Sequence, residues 1–364
     1  MKILLLVSQF YPHTGGVEVA VYNLARALLK QSSDVTVVTA KAPWSLPSVE
    51  NVDDLLIKRY FLALPKTIKS ALVFPFLFPL TVIKLWRLIK SQKIDVLNIH
   101  FADDAAFYAL ILKYLTGVRL VVSLHGNDVE KFPVESFFRR WLLRCLLKVA
   151  DSVTVNSRYL EDRLQKKVEI IGNGINLDEF STIQPFSHPN PYILFLGRLV
   201  YKKGVDLLIQ AYAAVCRDLP FDLLIAGDGQ ERRNLEDLVK KRGMGDRIKF
   251  LGQVENKFGH ELMAGASLFV VPSRLEPFGI VVLEAMATGC PVLSSRTGGL
   301  TEIIQDGQTG VLFSSEDVVD LSTKLLELLL NPTKMERLKT AAWEGVQKYT
   351  WDVVARKYLE IYEH

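Results

Sequence analysis

Long hydrophobic runs are missing from this 364-residue chain. Its most apolar segment, Ala71 to Ile83, carries Pro75 and Pro79 and falls short of the roughly 20 residues that a membrane-spanning helix needs, so no transmembrane helix is expected. Cysteine is scarce. Cys145, Cys216 and Cys290 are odd in number and far apart, which fits neither a disulfide framework nor metal-ligand spacing and points to a reducing compartment. The opening Met1-Lys2-Ile3-Leu4-Leu5-Leu6-Val7-Ser8 lacks a cleavage signal and reads as a buried first strand rather than a secretory leader. Charge of one sign is not abundant either; a net +4 is too little to argue for nucleic acid. Two signatures are absent as well. Neither half has the G-x-G-x-x-G spacing of a dinucleotide site, and no Asp-x-Asp pair offers itself to a divalent metal. Any diphosphate bound here must be neutralised by Arg, Lys and helix dipoles.

What is present is alternation. Apolar strands are expected at Ile3–Val7, Asp34–Thr39, Asp95–Ile99, Leu120–Leu124, Val153–Val155 and Val168–Ile171, with amphipathic helices between them. Ser, Pro, Asn and His cluster from Gly172-Asn173-Gly174 to Pro191, which marks a linker. The pattern then restarts, with strands at Ile193–Leu196, Leu223–Ala226, Ile248–Leu251, Leu268–Val271 and Val292–Ser294 and helices at Val205–Arg217, Glu231–Arg242, Ile280–Ala287 and Val318–Leu330. Continuous apolar strands separated by helices indicate parallel sheets covered on both faces. The fold class is therefore α/β, with two doubly wound Rossmann-like domains at 1–180 and 181–348 and a helical tail at 349–364. In such sheets ligands bind beyond the carboxyl ends of the strands, so two domains imply a cleft.

Several strand ends carry chemistry. The stretch Pro272-Ser273-Arg274-Leu275-Glu276-Pro277-Phe278-Gly279-Ile280 leaves an apolar strand and enters a helix that bears Glu284. A loop-to-helix junction offers free backbone N–H groups and a positive dipole end to an anion. Glu276 and Glu284, as ionised carboxylates, accept hydrogen bonds and suit hydroxyls. The alternative for Glu284 is a carboxylate that merely decorates the first turns of the helix. Arg198 and Lys203 follow Ile193–Leu196 and form a phosphate clamp of planar fork and point charge, or else a solvated charge run. Gly15-Gly16 after the first strand allows close approach of the backbone to a ligand, or is an ordinary turn. Gly227 in Ala226-Gly227-Asp228-Gly229 reads as a tight turn near the ligand. His125 and Asp128 follow Leu120–Leu124, and His100 follows Asp95–Ile99; a lone histidine in such a place is either structural or functional.

The ordered set Gly15-Gly16, His125-Gly126, Asn173-Gly174-Ile175 with Asp178 and Phe180, Gly197-Arg198 with Lys203-Gly204, Gly227-Asp228-Gly229, and Glu276-Pro-Phe-Gly to Glu284 resembles the retaining GT-B glycosyltransferases of family 4, glycosyl transferase group 1. The likeness covers essentially the whole chain. It implies transfer of a sugar from a nucleotide-diphosphate sugar to an acceptor hydroxyl, with retention, without a metal or other cofactor, and with the helix Trp351–Tyr362 crossing back to the first domain. It also implies that Arg198 and Lys203 clamp the diphosphate, that Glu276 holds the donor sugar and Glu284 the ribose. His125 lies beside the sugar by the same likeness; Gly15, Gly16 and Gly227 let the backbone approach the donor, and the backbone near Phe278, Gly279 and Ile280 contacts sugar and phosphate.

The acceptor is read from charge. Residues 1–180 hold 23 Lys+Arg against 17 Asp+Glu, and the remainder 21 against 23, so the basic excess lies in the first half. Arg139, Arg140, Arg144 and Lys148 mix with Phe137, Phe138 and Trp141, and Lys66, Lys69, Lys84, Arg87 and Lys90 flank the Ala71–Ile83 segment. Basic amphipathic helices with Trp and Phe suit an anionic membrane surface; core-facing helices with solvated basic faces are the alternative. The expectation is a cytoplasmic enzyme, peripheral on the inner face of the cell membrane, acting on a glycan or lipid-linked acceptor. A soluble acceptor, a nucleotide-sugar epimerase and a non-catalytic nucleotide-sugar sensor are the competing readings.

Overall fold

The structure is a computed structural model and describes all residues except Thr14, Lys66, Phe132, Pro133, Glu135 and Asp218, and all their side chains except that of Lys69. Of the basic residues noted above, Lys66 and the Lys69 side chain thus lie outside the described residues. The chain forms two compact units, Met1–Gly174 with Trp351–His364, and Ile175–Thr350. The first unit ends six residues short of the expected boundary at 180. The reason is packing: Ile175 and Phe180 are buried in a core of the second unit, alongside Tyr192 and Leu262.

In the first unit, β1 (Lys2–Val7), β2 (Asp34–Ala40), β3 (Val49–Val52), β4 (Leu55–Tyr60), β5 (Val96–His100), β6 (Arg119–Leu124), β7 (Ser152–Val155) and β8 (Glu169–Ile170) make one sheet. Its order is β3-β4-β2-β1-β5-β6-β7-β8, parallel except for the β3–β4 hairpin. Successive side chains of a strand point to opposite faces. Accordingly Ile3, Leu5 and Val7 enter one core, and Leu4 and Leu6 enter the other. The helix Gly16–Lys30 covers the first of these faces with Ala20, Val21, Leu24 and Leu28. The C-terminal helix Trp351–Glu363 packs beside it through Trp351, Val354, Ala355 and Tyr358. It is pinned to the sheet where Asn98 Nδ2 donates to Tyr362 Oη at 2.6 Å and Tyr358 Oη to Ser123 Oγ at 3.3 Å.

The Ala71–Ile83 segment is not a short apolar stretch but part of a 25-residue helix, Ile68–Gln92, with Pro75 and Pro79 inside it. Proline removes a helix donor and strands a carbonyl four residues back. Both prolines and Ala71 are exposed, so the orphaned carbonyls of Ala71 and Pro75 reach water and the helix runs on. By length and composition its Ser70–Gln92 stretch could cross a membrane. Its C-terminal half, however, buries Val82, Leu85, Leu88 and Ile89 in the first unit's core.

In the second unit, β9 (Tyr192–Leu196), β10 (Asp222–Ala226), β11 (Ile248–Gly252), β12 (Leu268–Val271), β13 (Val292–Ser295) and β14 (Val311–Phe313) form an all-parallel sheet of order β11-β10-β9-β12-β13-β14. In each sheet the strand order reverses beside the unit's first strand, between β1 and β5 and between β9 and β12. Ligands of doubly wound sheets bind at such switch points, beyond the carboxyl ends of the strands. The loops that follow β1 and β5 carry Gly15-Gly16 and Phe101–Asp103, and those that follow β9 and β12 carry Arg198, Lys203 and Glu276.

Candidate active site

The second unit brings three of the expected residues to its switch point. Lys203 Nζ pairs with Glu276 Oε2 at 2.5 Å, joining the loop after β9 to the loop after β12 across 73 residues of sequence. Both side chains are largely shielded, at 17% and 12% exposure, so the pair is screened less than a surface ion pair. Arg198, in the first of these loops, is exposed and has no side-chain partner among the described residues. An ammonium, a carboxylate and a free guanidinium thus sit on two adjoining loops.

Arg274 holds those loops in place, a role the sequence reading did not give it. Its guanidinium forms a two-pronged pair with Asp206, Nη1 to Oδ1 at 2.8 Å and Nη2 to Oδ2 at 2.7 Å. It also donates to Tyr201 O at 2.9 Å and to Glu316 at 3.2 Å, and lies 4.1 Å from the centre of the Tyr201 ring. The Asp206 hydrogen bonds raise its pKa further above the ordinary range. Planar, bidentate pairing of this kind is specific to Arg. The backbone continues the stitch, with Arg274 N donating to Lys202 O at 2.8 Å. Behind Glu276, Gly299 N donates to Glu276 O at 3.0 Å, which ties in the loop after β13.

The helix that bears Glu284, Ile280–Ala287, begins at Gly279 with no side-chain cap. Gly279 sits at φ +102, and a Cβ there would strike Leu300. Only glycine fits both constraints. No described residue accepts from the backbone N–H of Phe278, Gly279 or Ile280, which leaves a row of donors at the positive end of the helix. Phe278 itself is buried in the core with Leu300. Glu284, on the second turn, has its pKa pushed up to about 7 by burial and, to a smaller degree, by Glu179. Gly227, at φ +136, has a packing reason to be glycine: a Cβ would overlap Gly197 O, where the loops after β9 and β10 cross.

The first unit presents a different constellation. Gly16 opens the helix Gly16–Lys30, with Gly15 as its N-cap and no side-chain cap. A Cβ on Gly16 would meet nothing within 4 Å. At the end of β6, Asp128 does not face outward as a carboxylate of the binding surface. It is buried and accepts from the backbone N–H groups of Gly126 at 2.8 Å, His125 at 3.1 Å and Ala102 at 3.4 Å, so it fixes the loop that carries His125. Burial nonetheless pushes its pKa up to about 6. His125 and His100, read separately in the sequence, are neighbours: His100 Nδ1 lies 3.2 Å from His125 Nε2, with the ring centres 5.4 Å apart. Burial lowers the pKa of His125 to about 4, and burial together with His125 drives that of His100 well below the ordinary value. At neutral pH both rings are uncharged.

Two doubly wound, mostly parallel sheets, each with ligand-type loops at its switch point, are the architecture of the GT-B fold. Comparison with known proteins gives the family. The family model "Glycosyl transferases group 1" matches residues 177–344, and "Glycosyltransferase Family 4" matches residues 14–179. Among curated relatives, a glycogen synthase of Mycobacterium tuberculosis is 32% identical over 75% of this chain and 69% of its own length. A phosphatidyl-myo-inositol mannosyltransferase of Mycobacterium leprae is 28% identical over 100% of this chain and 96% of its own. Among solved structures, sucrose-phosphate synthase of Thermosynechococcus elongatus superposes with TM-score 0.80 at 24% identity, covering 100% of this chain and 98% of that one. The Anabaena protein HepE in complex with UDP-glucose gives TM-score 0.76 at 20% identity, covering 100% and 99%. The chain belongs to glycosyltransferase family 4, the group 1 glycosyl transferases, and is a glycosyltransferase.

Proposed function

We propose that this glycosyltransferase moves a sugar from a UDP- or GDP-linked donor to an acceptor hydroxyl, with retention of configuration and without a required metal. The observation that carries the reading is the Lys203–Glu276 pair on loops adjoining that of the exposed Arg198, which has no side-chain partner among the described residues. Arg198 and Lys203 neutralise the diphosphate as it departs, which is where charge develops. Glu276, held by Lys203, accepts from donor-sugar hydroxyls. Glu284 accepts from the ribose hydroxyls in its ionised form. The backbone donors at Phe278, Gly279 and Ile280 take the phosphate and the sugar, and Gly15, Gly16 and Gly227 are the donor-facing glycines of their own units. The departing phosphate oxygen accepts the acceptor's proton as the new glycosidic bond forms on the same face. No protein nucleophile is needed, so the two glutamates are not a glycosidase acid/base pair. HepE was solved with UDP-glucose, which supports a nucleotide-diphosphate sugar as donor here.

A thermal-shift screen against nucleotide-sugars tests the donor, since a ligand at about 100 times its Kd stabilises by about 2.7 kcal/mol. The matching donor, incubated with acceptor and excess chelator, is expected to give an α-linked product from an α-linked donor. An inverted product or a metal requirement overturns the mechanism. Donor isomerised without acceptor identifies an epimerase, and binding without any turnover identifies a sensor.

The acceptor is a lipid-linked glycan met at an anionic membrane surface on the inner face of the cell membrane. Ile68, Leu72, Phe76, Leu80 and Ile83 recur every three or four residues on the face of Ile68–Gln92 opposite its buried one, with Ile68 84% and Phe76 72% exposed. A run of ring contacts links this helix to the next basic one: Phe74 to Phe78 at 5.0 Å, Phe78 to Phe107 at 5.7 Å, Phe107 to Phe138 at 6.2 Å and Phe138 to Trp141 at 5.7 Å. Exposed Lys84, Arg87, Arg144 and Lys148 stand on the same two helices. Apolar groups for the acyl region with cations for headgroups match an anionic bilayer. The name of the Mycobacterium leprae relative places a phosphatidyl lipid on that enzyme's acceptor side, in keeping with this reading. Co-sedimentation with anionic vesicles at low salt is expected for the wild type and is expected to weaken at least tenfold for Leu72→Glu with Phe76→Glu. No binding by the wild type sinks the membrane reading and leaves a soluble acceptor.

A further inference from the structure

The His100–His125 pair carries an inference about hydrogen-bond polarity. Their facing nitrogens, His100 Nδ1 and His125 Nε2, are 3.2 Å apart and share one proton between two neutral rings. Two arrangements are possible. If His125 Nε2–H donates, then His100 carries its own proton on Nε2. That atom is buried and has no hydrogen-bond partner among the described residues. The void beside the pair, lined by both histidines with Trp351 and Tyr358, has about 10 Å³ of room, at or below what one water needs. A buried N–H would then be orphaned, the rarer and costlier defect. If instead His100 Nδ1–H donates to His125 Nε2, the buried His100 Nε2 is a bare lone pair, which is better tolerated. His125 must then carry its proton on Nδ1, the nitrogen for which no described residue is a partner.

We infer that His100 is a positioning residue that fixes His125 in the Nδ1–H form, so that His125 offers a hydrogen-bond donor, not an acceptor, to a substrate oxygen at the end of β6. The surroundings hold this choice in place. Asp128 pins the His125 and Gly126 backbone, Asn156 Nδ2 donates to His125 O at 3.3 Å, and the Tyr358 ring lies 6.1 Å from His100. In open solution neutral histidine favours the Nε2–H form, so the Nδ1–H form needs a specific hydrogen bond to hold it, and here His100 supplies that bond. The role of a donor facing substrate rests on the sugar-transfer reading above; the tautomer itself does not.

Nitrogen-15 NMR of the full chain with labelled histidine tests the assignment without any donor present. The chain has six histidines, and the variants His100→Asn and His125→Asn assign the two signals. The expected result is an Nδ1–H tautomer at both His100 and His125 in the wild type. His100→Asn, whose amide Nδ2 can replace the Nδ1–H donor, is expected to keep His125 in that form. His100→Leu is expected to release it to the Nε2–H form and to lower kcat/KM about tenfold with nucleotide-diphosphate affinity unchanged. An Nε2–H signal for His125 in the wild type overturns the inference, even if His100→Leu fails to fold. If the tautomer is as stated but His125→Asn turns over like the wild type, the substrate-facing assignment of His125 fails and the pairing stands.

Discussion

Around Lys203 and Glu276 the loops are held by charge against charge, with Arg274 clasping Asp206 and an exposed Arg198 on the loop after β9. Around His125 the loop is held by a buried carboxylate on backbone N–H groups and by one neutral imidazole on another. Both regions lie beyond the carboxyl ends of parallel strands, yet their surroundings suit different work. Paired full charges tolerate the arrival of a diphosphate, because an ion pair can exchange one partner for another at modest cost. A dry neutral pair cannot accept a charge without a large desolvation penalty, so it suits a neutral hydroxyl.

The largest expected effect is at Glu276. Glu276→Ala is expected to lower turnover by about 10²–10³ or more while nucleotide diphosphate binds within a few fold of wild type. Isothermal titration and initial rates measure the two, and wild-type turnover refutes the role of this carboxylate.

Gly227→Ala is the next largest effect, and it falls on stability. Positive φ and overlap with Gly197 O make a cost of about 3 kcal/mol or more, read as a lower midpoint in urea with the m-value unchanged. Gly16→Ala is its control in the other unit, where the added methyl meets nothing. Stability there is expected to hold within about 0.5 kcal/mol or rise slightly, since Ala is the better helix residue. A fall in donor affinity without a fall in stability marks Gly16 as a glycine kept for the ligand; unchanged affinity removes it from the site.

Arg274→Ala is expected to cost about 2–3 kcal/mol by stranding Asp206, and to raise KM for the donor because the Lys203 and Glu276 loops loosen. Arg274→Lys should recover little, since an ammonium cannot reproduce the two-pronged bond. Full recovery by Lys would show that charge alone is enough.

The smallest effect is a pH dependence at Glu284. Its native pKa of about 7 lies above the ordinary 4.5, so the folded chain holds the proton more tightly than the unfolded one. Stability therefore falls as pH rises from about 4.5 to 7, and the full cost is present above 7. Glu284→Gln is expected to be more stable than wild type at pH 8 and nearly equal to it at pH 4.5, read as the urea midpoint at the two pH values. Donor affinity of the wild type should weaken as pH drops below 7, because a protonated carboxyl loses acceptor capacity toward the ribose. Affinity flat across pH 5–8 separates Glu284 from the ribose.

Most strands were legible because a parallel sheet buried on both faces writes itself as short continuous apolar runs, as in Ile3–Val7 and Leu268–Val271. The edge hairpin of β3 and β4 was not, since half-exposed strands such as Val49–Val52 lack that signature. The long helix Ile68–Gln92 was hidden by prolines whose penalty depends on exposure. Among the proposed site residues, Lys203, Glu276 and Glu284 could be named from motif spacing. Arg274 could not be given a role, because Asp206 stands 68 residues away and no local pattern announces such a pair.

The sequence by itself determined the two α/β units, the loops that bear charge at strand ends, and the glycines that those loops require. These follow from short-range periodicity and backbone sterics, which are written in neighbouring residues. Tertiary structure alone decided which of those groups meet: Lys203 with Glu276, Arg274 with Asp206, His100 with His125, and the C-terminal helix with Gly16–Lys30. Burial decided the rest. An imidazole or a carboxyl takes its charge state from the dielectric and partners around it, and those come from residues far away in the chain.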